Sequence, residues 1–506
     1  MRMFLIVATG LTVCPSLAAQ TEPTPRLSWR GSEWRVAPVN LRVRLDYQSG
    51  ILGREVGSLA LLGTHLDFED ISGRIPGLWA GVGGYSATDG DYGGLTTLGL
   101  NLGWRHLFEG GWAFETGGFA GVGGGGGAPV GDSFMTRTFL GLEYVFSDSL
   151  GLRIENARVN FSDAEISAHE WTAGFSWRMR PWLARPGRAQ LSALSPAGGG
   201  GIRAGLEYFS HNPGDAARRT DGSALTSALR GVGVRADSHL GNNWFASSSV
   251  RGGLSGDASG WHELLLGMGY EVPWGSGGAL ETRFMIGAGG GGGVDTGGGL
   301  VWQPSIGYRS AIGGNSSWSI SLGKTIASTS DFTATTISAG VAFGLPALSF
   351  GVHDQGRSLP AGTKLSQWSA APVLRTMLSG PEYLLAGVQL AKPLGSGFEF
   401  AGSALSVANG LDGGYSEGWL DLRMRSQFNS DSRLTILTGV GLGAGGGGGI
   451  DIEGGAMWGF SIGAAWEYSP GTELQLSVGK QDAFSGSFVE TYAQLGWAWH
   501  FGIPRR

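Results

Sequence analysis

The sequence predicts an all-β fold of antiparallel up-and-down transmembrane β-barrels with about 24 strands in total. Three observations support this prediction: segments of alternating polarity, a pattern that recurs three times, and an N-terminal segment typical of secretion. The 506 residues include 94 glycines, 19 tryptophans and 23 phenylalanines, but only 15% are charged. Because this composition is unusual for a soluble enzyme or a disordered chain, we expect part of the surface to face lipid.

Residues 1–19 are predicted to form a signal peptide. The basic Arg2 is followed by an apolar run from Met3 to Val13, and the small residues Ala18 and Ala19 come next. The run is too short to cross a bilayer as a helix. Its removal also removes Cys14, the single cysteine of the chain, so we expect no disulfide and no thiolate chemistry in the mature protein.

The alternation of apolar and polar residues is clearest in the last segment of the chain. One face carries Val489, Thr491, Ala493, Leu495, Trp497, Trp499 and Phe501, and the other carries Glu490, Tyr492, Gln494, Gly496, Ala498 and His500. Large apolar side chains on one face suit lipid, while the small and polar side chains on the other suit a barrel interior.

The chain has a net charge of -6, and its lysines and arginines form no basic stripe. Nucleic acid is therefore not expected as a partner.

A repeat divides the mature chain into three modules. Glycine runs begin at Gly123, Gly289 and Gly445, so that 166 and then 156 residues separate their starts. Each run is followed, 56 residues after its first glycine, by the end of one pattern of polar, glycine, aromatic and apolar residues, which closes at Met179, Leu345 and Phe501. We therefore predict modules at residues 21–181, 200–346 and 347–503, with a linker at 182–199.

Each module has room for eight strands. In the second module the predicted strands are 201–212, 226–240, 243–255, 260–273, 278–288, 297–311, 316–327 and 332–345. Two architectures fit this count: three small barrels of eight strands each, or one large barrel in which the modules are fused. The first is favoured, because every module carries its own terminal pattern and interior charges of both signs.

The charges predicted to face the barrel interiors follow from the same alternation. They are Arg42, Arg44, Asp46, Arg105, Glu115, Arg153, Glu155, Glu170, Arg203, Glu207, Glu263, Glu281, Arg283, Asp421, Arg423, Arg425 and Glu490. Burial of such charges is tolerable where each finds a partner of opposite sign. For Arg423 the nearby candidates in sequence are Asp421 and Glu490.

The terminal pattern of Gln494, Gly496, Trp499 and Phe501 resembles the C-terminal assembly signal of bacterial outer-membrane β-barrel proteins. The resemblance covers one strand, and five residues follow it, where the family usually ends at the aromatic residue. It implies an outer-membrane location, with outer-membrane lipid and the barrel-assembly machinery as partners. Envelope proteins are further possible partners, of unknown identity.

Three functions are considered for such a protein. The first is a pore or a transport or export component of the cell envelope, and its alternative is a non-conducting structural or partner-binding protein. A remote alternative is a lipid-modifying barrel enzyme, because Ser210, His211 and Asn212 are reminiscent of lipid A deacylase barrels. Adjacent strand residues point to opposite faces, so we expect no enzyme activity. No cofactor and no metal site are expected, because the histidines lack metal-ligand spacing.

The terminal pattern makes a testable prediction. Phe501→Ser should lower the yield of folded protein in the membrane more than Leu345→Ser does, because only the last strand of the chain is expected to be read by the assembly machinery. The yield is measured as the heat-modifiable band on a gel. Equal tolerance of both substitutions would contradict an assembly role for Phe501.

Overall fold

A computed structural model describes most of the mature chain. The described residues are 34–51, 58–72, 74–90, 92–131, 133–147, 150–162, 164, 167–179, 182–186, 202–256, 260–275, 277–313, 316–345, 364–380, 382–395, 397–410, 414–427, 432–447, 450 and 452–505. The predicted signal peptide, residues 1–19, and most of the predicted linker lie outside them.

Barrel 1 is a closed antiparallel barrel of eight strands, preceded by the short strand β1 (Trp34–Pro38). Its strands in chain order are β2 (Leu41–Ile51), β3 (Ser58–Phe68), β4 (Leu78–Gly90), β5 (Thr96–Leu107), β6 (Trp112–Gly124), β7 (Phe134–Val145), β8 (Leu150–Phe161) and β9 (Ser167–Met179). Strand β10 (Trp182–Pro186) follows the barrel and pairs with β1. The predicted linker therefore begins with a strand, because β1 supplies a partner more than 140 residues earlier in the chain.

Barrels 2 and 3 repeat this arrangement. Barrel 2 consists of β11 (Ile202–Pro213), β12 (Leu229–Gly241), β13 (Trp244–Ser255), β14 (His262–Trp274), β15 (Gly278–Gly290), β16 (Leu300–Gly313), β17 (Ser316–Ala327) and β18 (Thr333–Leu345). Barrel 3 consists of β19 (Lys364–Met377), β20 (Leu384–Gly395), β21 (Phe398–Asn409), β22 (Ser416–Gln427), β23 (Leu434–Gly446), β24 (Ala456–Ser469), β25 (Thr472–Ala483) and β26 (Val489–Arg505).

Barrel closure decides between the two predicted architectures. In each module the first strand pairs with the eighth, as shown by the partner pairs Leu41–Met179, Ile202–Leu345 and Lys364–Arg505. The prediction of three small barrels, with 24 strands among them, is confirmed. The two-stranded β1–β10 unit was not predicted; it adds to the edge of β26 at the pair Ala184–Gly502.

The two ends of the barrels differ. At one end, here called the turn end, most connections between strands are short, for example Asn242 and Asn243 between β12 and β13, whose φ angles of 48° and 67° suit a type I′ turn. The opposite end, here called the loop end, carries the longer loops and all three glycine runs. Short turns typically face the periplasm and long loops the outside.

The outward faces form an apolar band. Exposed tryptophans and tyrosines surround the turn end, as in the aromatic girdles of membrane barrels: Trp112, Tyr144, Trp244, Trp274, Trp318, Trp466, Tyr468, Trp497 and Trp499. Towards the loop end, one exposed basic residue projects outward from the seventh strand of each barrel: Arg158, Lys324 and Lys480. The three residues occupy the same position in each of the three repeats. A long basic side chain at this position can place its charge at the headgroup level of a bilayer. No helix among the described residues is long and apolar enough to span a membrane.

The barrels contact one another in a ring. The third strand of barrel 1, β4, contacts the fifth strand of barrel 2, β15. In the same way β13 of barrel 2 contacts β23 of barrel 3, and β21 of barrel 3 contacts β6 of barrel 1. Each interface therefore includes a contact of the third strand with the fifth, and the series closes after three barrels, as in a cyclic trimer with head-to-tail interfaces.

The glycine-rich loops bring the backbones of barrels 1 and 2 into direct contact. Gly93 N, in the loop between β4 and β5, donates a hydrogen bond of 3.1 Å to Gly297 O, in the loop that follows the second glycine run. A Cβ atom on Gly298 would lie 2.4 Å from Asp89 Cα, and one on Gly94 would lie 2.7 Å from Gly291 N. Larger side chains would separate the backbones here, so the glycines permit barrels 1 and 2 to touch.

The loop contact predicts an effect of adding a single methyl group. In Gly93→Ala the new Cβ would lie 2.2 Å from Gly297 O, so the two loops must separate. We expect a loss of about 1–3 kcal/mol in the free energy of unfolding, typical of overpacking, measured by urea unfolding in lipid vesicles. Gly214→Ala is the control at the same end, because its Cβ first meets the Thr333 hydroxyl at 3.2 Å, which can rotate. Equal stability of both variants would contradict a tight interface.

Candidate functional site

The interior of barrel 1 is filled by paired charges. Arg42 Nη2 lies 2.5 Å from Glu115 Oε1, and Arg153 Nη1 lies 2.9 Å from Asp46 Oδ1. The Arg42 guanidinium also lies over the ring of Trp79, with its Cζ 5.0 Å from the centroid. All five side chains are buried. Ion pairs and cation–π contacts thus replace the water that these charges lose on burial.

Barrel 2 has its own network. Arg251 bridges two carboxylates, with Nη2 2.6 Å from Glu207 Oε1 and Nη1 3.1 Å from Glu263 Oε2. Nearer the turn end, Arg283 Nη2 lies 3.2 Å from Asp237 Oδ2. Every one of these partners belongs to barrel 2, so the buried charges of this barrel are neutralised by its own side chains.

His211 lies in this network and not at a catalytic surface. Its Nε2 is 3.0 Å from Glu263 Oε1, and its Nδ1 is 2.8 Å from the Thr336 hydroxyl. The imidazole is fully buried and packs edge-on against the buried Trp261. Ser210 lies on the outward face of β11, opposite to His211. The strand geometry therefore separates the two residues that a Ser–His pair would need together.

Barrel 3 pairs its arginines with carboxylates on other strands. Arg423 Nη2 lies 2.6 Å from Glu399 Oε1, and Arg425 Nη2 lies 2.6 Å from Glu473 Oε1. The carboxylate beside Arg423 is therefore Glu399, its direct cross-strand neighbour on β21, and not Asp421 or Glu490 as the sequence suggested. Sequence proximity misled here because residues directly opposite each other on paired strands also meet, as Arg423 and Glu399 do, and this pairing is not visible in the sequence.

The loop end of barrel 3 carries a tyrosine that extends the network. Tyr415 lies just before β22, and its hydroxyl donates a hydrogen bond of 2.8 Å to Glu417 Oε2. Glu417 in turn forms an ion pair with Arg375. Burial raises the pKa of the Tyr415 hydroxyl well above its usual value, so it remains a donor.

The structure places the predicted interior residues on the inward faces of their strands. Thirteen of the seventeen are buried, and the four that are half-buried are Arg105, Arg203, Asp421 and Arg425. Further inward charges were missed: Asp67, Arg137, Glu143, Arg178, Arg235, Asp237, Arg251, Glu271, Arg309, Arg375, Glu399, Glu417 and Glu473. Each shares the alternation of its own strand, so a complete count of inward positions would have found them.

The junction of the barrels forms a second polar region. Thr96 and His262 begin the fourth strands of barrels 1 and 2, and Thr96 Oγ1 lies 2.7 Å from His262 Nε2. Ser416 begins the fourth strand of barrel 3 and shares a hydrogen bond of 2.8 Å with Ser406. All four lie on outward faces and are nevertheless buried. Polar groups on a lipid-facing surface are costly, so their burial at the loop end marks the contact region between barrels.

Within the described ranges, no group of three or more His, Cys, Asp or Glu side chains is placed to hold a metal ion. The assembly-signal residues Gln494, Gly496, Trp499 and Phe501 lie on β26, which closes barrel 3. Their role in assembly stays a prediction.

Comparisons with known proteins add little to this geometry. No protein-family model matches the chain, and no curated protein matches it. Among solved structures, OccK11 (OpdR) of Pseudomonas aeruginosa is 11% identical over 93% of this chain and 96% of its own, with a TM-score of 0.23. The siderophore receptor PirA of Pseudomonas aeruginosa is 10% identical over 91% and 80%, with a TM-score of 0.27. TM-scores this low do not indicate a shared three-dimensional arrangement.

The class of the protein therefore rests on its own barrels. Closed antiparallel barrels leave no unpaired sheet edge, and here they carry an outward apolar band with an aromatic girdle. These are the properties of transmembrane β-barrels, which insert in bacterial outer membranes. The chain is an integral outer-membrane β-barrel protein.

The Arg423–Glu399 pair predicts a large effect of truncation. Arg423→Ala leaves the buried Glu399 without one of its two arginines, and we expect a loss of about 3–5 kcal/mol in the free energy of unfolding. Unfolding by urea in vesicles is followed by tryptophan fluorescence. Lys480→Ala in the same barrel removes an exposed outward charge and should change stability by no more than about 0.5 kcal/mol. A stable Arg423→Ala variant would instead indicate a water-filled interior.

Proposed function

We propose that this outer-membrane protein is a transport component of the cell envelope whose route follows the junction between its barrels and not an open lumen. The observation that carries the proposal is the filling of the three interiors by paired charges. An eight-stranded barrel has room for little beyond its own side chains. A pore through any one lumen would require several buried ion pairs to separate at once.

At the junction between the barrels, the outward faces of the strands carry polar residues, unlike a surface that faces lipid. In a lone barrel the outward faces of the fourth strands would meet hydrocarbon, but here the residues that begin these strands are the polar Thr96, His262 and Ser416. The hydrogen bond between Thr96 and His262 joins two barrels across the junction. Polar contacts between separate barrels can break without unfolding either barrel, which suits a closed gate.

A non-conducting structural or partner-binding role is the second candidate. It is favoured by the same paired interiors, because a protein that only anchors loops in the outer membrane needs stable, filled barrels. We assign no catalytic role to Ser210 and His211, since the two side chains lie on opposite sides of the wall of barrel 2.

Conductance and solute flux separate these functions. The full chain is reconstituted in planar bilayers and in vesicles loaded with small polar solutes. We expect no steady open-pore conductance from the wild type. The double variant Thr96→Ala, His262→Ala should raise solute flux, because it removes the side-chain hydrogen bond between Thr96 and His262 and so weakens the contact of barrels 1 and 2.

The control is Arg423→Ala, which disturbs a lumen and leaves the junction intact. It should not raise flux above the wild-type level in the folded fraction. Increased flux in Arg423→Ala alone would locate the route in a lumen, and unchanged flux in both variants would favour the non-conducting role.

A further inference from the structure

The outward basic residue of each seventh strand occupies the same place in all three barrels. Arg158 on β8, Lys324 on β17 and Lys480 on β25 each lie three residues before the last residue of their strand, towards the loop end. They are separated by 166 and then 156 residues, the same spacing as the glycine runs. Their exposed charges therefore surround the protein at one level of the membrane.

The basic residue is kept in every repeat, although its neighbours on the same face are not. Two residues nearer the turn end, the repeats carry Asn156, Leu322 and Val478. Two residues nearer the loop end, they carry Asn160, Ile326 and Asp482. Because the polarity on both sides of the basic residue has changed between repeats, a charge that all three repeats retain indicates a shared role.

A hydrogen-bond donor lies beside each basic residue on the paired eighth strand. The three basic–donor pairs are Arg158 with His169, Lys324 with Thr335, and Lys480 with Thr491. Side chains directly opposite each other on paired strands have Cβ atoms about 4.5–5.5 Å apart. A cation and a donor at this spacing can both contact one phosphate group, whose oxygens accept charge-assisted hydrogen bonds.

The protein does not neutralise these three charges itself. Within the described part of the chain, the side chains of Arg158, Lys324 and Lys480 form no ion pair and no hydrogen bond. The inward arginines differ, because they pair with carboxylates of their own barrel, as Arg423 does with Glu399. The outward charges are therefore available to a ligand that arrives from the membrane.

On barrel 2 a shallow apolar groove leads to the basic–donor pair. The groove has a volume of about 670 Å³ and extends from Trp244 near the turn end to Lys324 and Thr335 near the loop end. Between its ends it is lined by the exposed side chains of Met268, Phe284, Ile306 and Leu322. An apolar length with a cation at one end thus follows the outer wall of this barrel through the apolar band.

We propose that each basic–donor pair binds the phosphate of one anionic lipid in the leaflet at the loop end, and that on barrel 2 an acyl chain of this lipid lies in the groove. Lipid reaches these outward faces by lateral diffusion. A basic side chain at headgroup level attracts lipid of net negative charge. A zwitterionic lipid is attracted less, because its own ammonium opposes the attraction of its phosphate.

The three sites are expected to differ in strength. Asp482 lies on the same face as Lys480, two residues nearer the loop end, and its carboxylate repels an anionic headgroup. No acidic residue occupies the equivalent position beside Arg158 or Lys324. Barrel 3 should therefore bind its lipid most weakly, and barrel 2, which adds the groove, most tightly.

Lipid titration tests the proposal. The full chain in mild detergent is titrated with phosphatidylglycerol or with phosphatidylcholine, and bound lipids are counted by native mass spectrometry. The wild type should bind up to three molecules of phosphatidylglycerol more tightly than phosphatidylcholine. Lys324→Gln should weaken the tightest of these about fivefold, the effect expected of one lysine near an anionic headgroup, and Lys324→Arg should retain it. The triple variant Arg158→Gln, Lys324→Gln, Lys480→Gln should lose the preference.

A second triple variant is the matched control. Arg74→Gln, Arg218→Gln, Arg433→Gln removes the same number of charges from exposed positions outside the three sites and should keep the preference for phosphatidylglycerol. Both triple variants change only exposed side chains, so each should show the heat-modifiable band of a folded barrel.

Equal binding of the two lipids by the wild type would overturn the proposal, and so would a preference that persists in the triple variant of the sites. An equal loss in the control variant would also overturn it, because the preference would then follow net charge and not position. The readout is bound lipid and not solute flux, and the junction lies at the fourth strands. The lipid sites can therefore be present even if the transport proposal fails.

Discussion

In the hydrocarbon of a bilayer every backbone N–H and C=O group must be paired within the protein, and the rest of this structure depends on that constraint. Each module satisfies it by closing its first strand on its eighth. Closure at eight strands produces a narrow interior, and a narrow interior that contains arginine must also contain carboxylates. The ion-pair networks are thus a consequence of barrel size, and they follow the walls of each barrel separately.

Glycine has two different uses in this chain. At the loop end, glycines allow backbone-to-backbone contact between neighbouring barrels, as at Gly93 and Gly297. On the outward face of barrel 3, Gly402 and Gly418 line an apolar cleft between barrels 2 and 3, and the residues equivalent to Gly418 in the other barrels are Leu98 and Leu264. The first use draws the barrels together and the second leaves a cleft between them, and both depend on the absence of a Cβ atom.

The three barrels form a ring because their interfaces are of one type. The third strand of each barrel meets the fifth strand of the next, which in separate proteins would be a cyclic trimer. Fusion into one chain allows the three copies to diverge while the ring is kept. Thr96, His262 and Ser416 show such divergence at equivalent positions, and so do Phe68, Ser238 and Lys392. Differences of this kind permit one interface to acquire a property that the others lack.

The sequence by itself determined the all-β class, the three modules and the strands of module two to within a few residues, because alternation and repetition are local signals. It also placed Arg42, Glu207 and Arg423 on inward faces. It did not determine which carboxylate meets Arg423, nor that β10 returns to β1, because strand pairing joins residues far apart in sequence. The contacts between barrels depend on strand tilt and on loops from different modules. Only the tertiary structure therefore decided that the second glycine run contacts barrel 1, and that barrels 2 and 3 leave a cleft.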